Sequence, residues 1–193
     1  TVMDVGSTKS GIVAAIKNHP KRKRFVAFHP MWGTENSGPK SAQRESFSGR
    51  AAVICDKEDS AEDAFSLVEK VAKTLEMNTI FMASEAHDVH TAYISHISHI
   101  TSYALANTVL EKEREEDTIF QLASSGFSST VRLAKSHPEM WVPIFKQNKE
   151  NVLDVLNEHI TQLRKFKAAL EKENYELLEE LIRNANKIRG ILK

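Results

Sequence analysis

Four of the chain's eight histidines lie in one stretch, residues 84–100, which contains neither glycine nor proline. Ser84 is a favourable N-cap residue and acidic side chains occupy the first turn, so the stretch predicts a helix. On a helical wheel, Asp88, Ser95 and His99 share one face beside an apolar stripe. Ser95 and His99 are one turn apart, so a hydroxyl and an imidazole can contact the same small polar molecule. We expect this face to meet a polar ligand.

Two other interpretations of the stretch stay open. A polar helix face is most often simply solvated. The pairs His87/His90 and His96/His99 are spaced i, i+3, which suits chelation of a metal ion. The two pairs point in different directions on the wheel, and no other ligand-rich motif lies nearby, so we assign no metal site.

Composition narrows the class of protein. The chain has 193 residues, 41% hydrophobic and 27% charged, which is typical of a soluble globular protein. Its 26 basic and 26 acidic residues give a formal net charge of zero, which argues against a general nucleic-acid-binding surface. Cys55 is the only cysteine, so no internal disulfide forms and a reducing compartment is expected. No long apolar run or signal peptide pattern is present, so we expect a cytoplasmic protein without membrane or nucleic-acid partners.

The first part of the chain predicts an α/β region. Strands are predicted at 1–5, 25–28, 51–55 and 79–82, and helices at 12–16 and 61–75. His29 follows a predicted strand directly, at the carboxyl edge where the ligands of open sheets bind. The turn Gly6-Ser7-Thr8-Lys9-Ser10-Gly11 faintly resembles a phosphate-binding loop, but it lacks the first glycine of that motif.

The second part predicts only helices, at about 84–110, 115–135 and 148–192, with breaks near 111–114, Gly126 and His137-Pro138. The change in composition places a boundary between 83 and 84, so an α/β part (1–83) precedes an all-α part (84–193). Leucines recur every seven residues near the end of the chain, at Leu156, Leu163, Leu170 and Leu177. This spacing predicts either an internal bundle core or an intertwined dimer, and we favour the dimer. The pair Glu173-Asn174 offers a break within the last helix.

Several short motifs occur in a fixed order along the chain. They are Asp4-Val5-Gly6-Ser7-Thr8-Lys9, His29-Pro30-Met31-Trp32-Gly33-Thr34-Glu35, Ser37-Gly38-Pro39, His87-Asp88, Ser95-His96-Ile97-Ser98-His99, Gly126-Phe127 with Arg132, and Met140-Trp141. Together they resemble the prephenate/arogenate dehydrogenase family over essentially the whole chain. The resemblance implies oxidative decarboxylation of prephenate or arogenate with NAD or NADP, in tyrosine biosynthesis. It also implies part of a dinucleotide-binding (Rossmann-like) α/β domain, followed by an all-α dimerisation domain that forms a homodimer.

The resemblance also implies roles for eight residues. His29 corresponds to the family's catalytic histidine, which accepts a hydrogen bond from the ring hydroxyl of the substrate, and Ser7 to a serine near that hydroxyl. The substrate-binding positions are Arg132 for a carboxylate, Ser95 and His99 on the pocket helix, Thr34 and Glu35 at the rim, and Trp141, an aromatic that reaches the pocket and in some members comes from the other subunit. Taken without the resemblance, His29 could equally cap a strand, Arg132 form a surface ion pair and Trp141 belong to the core.

The chain departs from the family pattern in three places. Ser-His-Ile-Ser-His at 95–99 replaces Ser-His-Leu-Pro-His, and Ser129 stands where an acidic residue is usual. The glycine-rich run before Phe127 is reduced to Ser124-Ser125-Gly126. The Gly-x-Gly-x-x-Gly fingerprint and its strand are missing, and the sequence begins without Met in what reads as a strand. We therefore expect a fragment that carries the substrate site and binds NAD poorly by itself.

A second function stays open at this stage. The chain could be a non-catalytic dimerisation or regulatory module that binds an aromatic amino acid.

Overall fold

The structure, a computed structural model, describes residues 1–34, 36, 38–116 and 118–191. Its strands are β1 (Val2–Asp4), β2 (Phe25–Pro30), β3 (Ala51–Cys55) and β4 (Asn78–Met82). Its α-helices are α1 (Ser10–Ile16), α2 (Glu62–Thr74), α3 (Ser84–Thr91), α4 (Ile97–Glu116), α5 (Ser125–Thr130), α6 (Pro138–Gln147), α7 (Lys149–Glu171) and α8 (Tyr175–Asn186). A π-helical segment, Ala92–His96, joins α3 to α4. Within these ranges no helix is both long and apolar enough to cross a membrane.

The four strands form one mixed sheet in the order β1-β2-β3-β4. β1 is parallel to β2, β2 is antiparallel to β3, and β3 is parallel to β4. The two central strands read as continuous apolar runs because both of their faces are covered. Val26, Phe28 and Ile54 point to the face on which α2 packs, whereas Ala27 and Val53 lie on the opposite face.

The predicted helix over 84–100 is present, but its start and its regularity differ from the prediction. The N-cap position is Ala83, not Ser84, and the backbone N–H of Ser84 donates to Asp56 Oδ1 at 3.0 Å. A carboxylate at the end of β3 thus satisfies the first turn in place of a local cap. The π-helical segment then interrupts the helix, which changes the faces of the residues that follow.

Two further helix predictions need correction. The helix predicted at 115–135 and the break predicted at 111–114 are wrong, because α4 continues to Glu116. The serine-rich segment around the break predicted near Gly126 forms only the short α5 between single 3₁₀ turns. Ser and Gly favour caps and turns over helix interiors, which explains the interruption. The helix predicted at 148–192 is divided into α7 and α8 at the anticipated break, where Glu173 has a φ of 49°.

The chain forms two compact units, Thr1–Val152 and Leu153–Lys193. In the first unit α3 packs against α1 and β3, so the sheet and the helices that follow it share one body. The second unit exposes several large apolar side chains, among them Leu163, Leu170 and Ile182. The functional division expected between 83 and 84 stays a prediction.

Asp88 fastens the start of α1 to α3. Its side chain is buried, and its two carboxylate oxygens accept the backbone N–H groups of Lys9 (2.8 Å) and Ser10 (2.9 Å). These donors are the free amides of the α1 N-terminus, where negative charge is favoured. The carboxylate therefore occupies the place that a phosphate takes in a phosphate-binding loop, and the faint resemblance at 6–11 does not describe such a site.

We expect Asp88→Asn to destabilise the first unit by about 1–3 kcal/mol, because an amide offers one acceptor oxygen and leaves one buried backbone N–H without a partner. Urea unfolding of wild type and variant measures the difference. Glu85→Gln, an exposed change in the same helix, is the control and should stay within about 0.5 kcal/mol of wild type. Equal stability of all three proteins would contradict this assignment.

Candidate active site

A cavity of about 360 Å³ opens in the first unit, beside the carboxyl end of β2. Seven of the eight predicted site residues line it: Ser7, His29, Thr34, Ser95, His99, Arg132 and Trp141. The eighth, Glu35, lies outside the described residues. The residues come from parts of the chain more than a hundred positions apart, so the fold brings together what the sequence motifs only suggested.

The sheet positions two of these side chains. His29 lies near the end of β2, opposite Val53 of β3. Ser7 follows the parallel neighbour β1, in a turn that is closed when the backbone N–H of Gly6 donates to Asp4 Oδ1 at 3.0 Å. Because parallel strands present their carboxyl ends at the same edge, a hydroxyl and an imidazole meet there.

The long helix contributes a different face from the one predicted. The cavity is lined by Thr91, Ser95, His96 and His99, whereas Asp88 is directed toward α1. An ideal α-helical wheel groups Asp88 with Ser95 and His99, but the π-helical segment adds a residue to one turn. This face is also not solvated, since His96 is 1% and His99 9% exposed.

Arg132 reaches the cavity from a 3₁₀ turn that is tied to α4. The buried Ser102 hydroxyl donates to Thr130 O at 3.1 Å and accepts the backbone N–H of Ala134 at 3.0 Å. These two bonds hold the turn on both sides of Arg132. Among the described lining residues, Arg132 is the only one with a permanent charge, so the cavity favours an anion.

His99 and Trp141 form one wall. Their rings are stacked, with centroids 3.4 Å apart and planes inclined by 27°. His99 Nδ1 donates to the Ser95 carbonyl oxygen at 3.0 Å, which fixes the ring on its own helix. Burial and the nearby Arg132 charge lower the pKa of His99, although the Ser95 bond opposes them. Trp141, predicted to approach the pocket and in some relatives to come from a partner, here lines the cavity of its own chain.

His96 presents an N–H group to the cavity. Its Nδ1 accepts a hydrogen bond from Asn148 Nδ2 at 3.2 Å. The orientation of that amide is fixed because Asn148 Nδ2 also donates to the Asp88 carbonyl oxygen (2.7 Å) and Asn148 Oδ1 accepts from Asn151 (2.7 Å). A neutral imidazole that accepts at Nδ1 carries its proton on Nε2. Burial lowers the pKa of His96 to about 4, so this neutral form holds at physiological pH.

His29 has a histidine partner behind it. Its Nδ1 lies 2.8 Å from His87 Nε2, and His87 Nδ1 lies 2.8 Å from Asp88 Oδ1. Burial, followed by the nearby His87, Lys9 and His96, lowers the pKa of His29 to about 3. The ring is therefore neutral at physiological pH, as a proton acceptor must be.

Sequence reasoning missed His96 as a cavity residue and His87 as the partner of His29. His87-Asp88 was recognised as a motif but received no role, since nothing local indicates a contact across 58 positions of sequence. A sharper clue was the presence of four histidines on a helix that also carries an apolar stripe. Among the described residues no cluster of three or more His, Cys, Asp or Glu side chains is arranged to hold a metal ion.

Comparison with known protein families decides where the chain belongs. Residues 1–81 match the prephenate dehydrogenase nucleotide-binding domain, and residues 83–184 match the prephenate dehydrogenase dimerization domain. The chain belongs to the prephenate dehydrogenase family. The fold predicted from the sequence, a nucleotide-binding α/β region followed by a helical dimerisation domain, is thereby confirmed.

Two curated relatives of this chain are longer than the chain itself. It is 30% identical over 189 residues to prephenate dehydrogenase of Bacillus subtilis, covering 97% of this chain and 51% of that protein. It is 26% identical over 193 residues to cyclohexadienyl dehydrogenase of Zymomonas mobilis, covering 100% of this chain and 66% of that protein. The chain thus spans between about half and two thirds of the length of these two relatives.

Solved structures of the prephenate dehydrogenase family share the fold. The Aquifex aeolicus prephenate dehydrogenase in complex with hydroxyphenyl propionate and NAD⁺ superposes with a TM-score of 0.90 at 30% identity, covering 100% of this chain and 67% of that one. Synechocystis arogenate dehydrogenase, at 23% identity and a TM-score of 0.78, supports the fold alone.

The pKa of His96 makes stability depend on pH. Burial lowers the pKa of His96 from 6.5 to about 4. Between these two pH values the imidazole is protonated in the unfolded chain but not in the folded chain. The contribution of neutral His96 to the free energy of unfolding is therefore fully present above pH 6.5, and it is lost as the pH falls toward 4. We expect His96→Gln to show a smaller loss than wild type between about pH 7 and about pH 5 in urea unfolding. The exposed His90→Gln is the control, and an unchanged slope in His96→Gln would contradict the assignment.

Proposed function

We propose that the protein oxidatively decarboxylates prephenate or arogenate with NAD or NADP in tyrosine biosynthesis, and that this chain carries the substrate cavity. The observation that carries the proposal is the meeting of a neutral imidazole, His29, and a guanidinium, Arg132, in one cavity of about 360 Å³. The named functions of the relatives and the family models that cover 1–81 and 83–184 support it.

The proposed reaction needs a base for the hydroxyl proton and a cationic group that binds the substrate carboxylate. Removing hydride from the carbon that bears the ring hydroxyl turns that carbon into a carbonyl, so the hydroxyl proton needs an acceptor. We assign this role to the neutral His29, with Ser7 beside the same hydroxyl, and the presence of both side chains in the cavity lining supports the assignment. Arg132 offers a planar fork that a substrate carboxylate can accept in a bidentate manner. Loss of the ring carboxylate as CO₂ leaves an aromatic ring, so the protein mainly has to orient the substrate.

NAD or NADP supplies the hydride acceptor when it is bound. The N-terminus of α1 after β1 is not available to its pyrophosphate, because the Asp88 carboxylate already accepts the backbone N–H groups there. The steps assigned to this chain are therefore substrate binding and proton transfer.

A homodimer formed through the helical part, in the cytoplasm, belongs to the same proposal. The match of residues 83–184 to a dimerization domain supports it, as do the exposed apolar side chains of the second unit. The polar side of α3 is buried. Val89 of α3 and Tyr93 of the π-helical segment, which belong to the apolar stripe predicted for residues 84–100, are 38% and 45% exposed and leave apolar surface available to a partner.

We expect His29→Asn to lower kcat of the full-length protein by about 10²–10⁴-fold, the usual contribution of a general base, while circular dichroism and Tm stay close to wild type. The measurement is NAD(P)H formation with prephenate and with arogenate. Normal turnover in this variant would remove His29 from its role. Tight binding of tyrosine by a wild-type protein that turns over neither acid would instead favour a regulatory module.

We expect Arg132→Lys to raise KM by roughly 10–100-fold, because replacing the fork by a point charge loses a charge-assisted hydrogen bond of about 1.5–3 kcal/mol. Lys135→Gln, a basic residue on the same 3₁₀ turn, is the matched control and should keep the wild-type KM. Equal effects of the two changes would show that only general charge attraction acts at this turn.

A further inference from the structure

Two buried side chains stand behind the candidate base without lining the cavity. His87 is 1% and Asp88 2% exposed, and neither is among the residues that line the cavity. The hydrogen-bonded chain runs from Asp88 Oδ1 to His87 Nδ1 (2.8 Å) and from His87 Nε2 to His29 Nδ1 (2.8 Å). A buried polar chain of this kind costs desolvation, so its protonation pattern has to be consistent along its whole length.

The protonation of this hydrogen-bonded chain can be assigned from its Asp88 end, where the donors are backbone N–H groups. Backbone N–H groups of Lys9 and Ser10 can only donate, so the Asp88 carboxylate accepts from both. Burial raises the pKa of Asp88, but the hydrogen bonds from His87, Ser10 and Lys9 outweigh it and bring the pKa below its usual range. The acceptor at this end is therefore an ionised carboxylate.

Each ring can then be assigned in turn. His87 Nδ1 carries a proton, because it faces an ionised carboxylate oxygen. A His87 ring that holds this single proton accepts at Nε2, and the proton between the two rings then belongs to His29 Nδ1. The second nitrogen of His29, Nε2, then carries a lone pair.

We propose that His87 and Asp88 are positioning residues that hold His29 in the Nδ1–H tautomer and receive its positive charge when Nε2 takes the substrate's proton. The inference rests on the proposed function for the identity of that proton. As the O–H bond of the substrate breaks, an N–H bond forms at His29 Nε2. The Nδ1–H proton of His29 moves to His87 Nε2, so His29 ends neutral and the imidazolium is His87, in contact with the Asp88 carboxylate.

The electrostatic surroundings explain why a relay is needed. Burial and the neighbouring His87, Lys9 and His96 lower the pKa of His29 to about 3, so a positive charge left on His29 is unfavourable. The Lys9 side chain, which is fully buried and paired with Asp4, is one of the groups that disfavour a positive charge on His29. Asp88 is the one group in this set that favours positive charge at His29. Moving the charge to His87 brings it into direct contact with that carboxylate.

The kinetic test compares two histidines of α3 in the full-length protein. We expect His87→Gln to lower kcat by roughly 10–100-fold, the usual effect of removing a group that supports a functional imidazole. KM should be unchanged because His87 does not line the cavity. The exposed His90→Gln should behave as wild type. Wild-type kcat in His87→Gln, or a rise in KM with kcat unchanged, would overturn the proposal.

The tautomer test needs neither substrate nor activity. In ¹⁵N-histidine-labelled protein near neutral pH, we expect His29 to show a protonated Nδ1 and an unprotonated Nε2, with its signals identified by their loss in His29→Asn. An Nε2–H tautomer, or a doubly protonated ring, would overturn the proposal even if prephenate is turned over. Conversely, the expected tautomer in a protein that turns over neither acid would refute the proposed function and leave the hydrogen-bonded chain established.

Discussion

The buried carboxylate of Asp88 is the interaction on which the first unit depends. It satisfies the N-terminal amides of α1, which begins directly after the turn that carries Ser7. It also meets His87, and through it His29 of β2. The backbone carbonyl of the same residue accepts from Asn148, which begins the connection to α7. One residue therefore joins a strand, two helices and the wall of the cavity, and a change there alters structure and chemistry together.

Two histidines that line the cavity differ in hydrogen-bonding role, although the residue types alone do not show the difference. His29 and His96 are both neutral and both line the cavity. The Nδ1 atom of His29 contacts His87, whereas the Nδ1 atom of His96 contacts the Asn148 amide. In the proposed chain, His29 Nδ1 donates to His87, which leaves a lone pair on Nε2, whereas His96 Nδ1 accepts from the Asn148 amide, which leaves an N–H. One ring can take a proton and the other can only give a hydrogen bond. Together with Arg132, this suits a ligand with a hydroxyl and an anionic group.

The local features of the fold could be predicted from the sequence because they depend on local physics. Apolar runs at β2 and β3 predicted the central strands, and Glu173-Asn174 predicted the division between α7 and α8. The helical wheel failed at the π-helical segment, because the extra residue in that turn follows from packing and has no sequence pattern of its own. The break predicted near Gly126 lies at the short α5, whereas the break predicted at 111–114 is wrong, because α4 continues to Glu116. The eight site residues came from family motifs, and seven of them line one cavity.

The contact between His29 and His87 could not be predicted, and the reason is physical. It joins residues 58 positions apart and exists only because α3 packs against α1 and against β3, the strand beside β2. Once the polar side of α3 is buried, each of its groups needs a partner of the right kind, or the fold loses free energy. Asn151 orients Asn148, Asn148 sets the tautomer of His96, and Asp88 sets that of His87. The protonation states that chemistry requires in the cavity are thus selected by the same hydrogen bonds that make burial of a histidine-rich helix face possible.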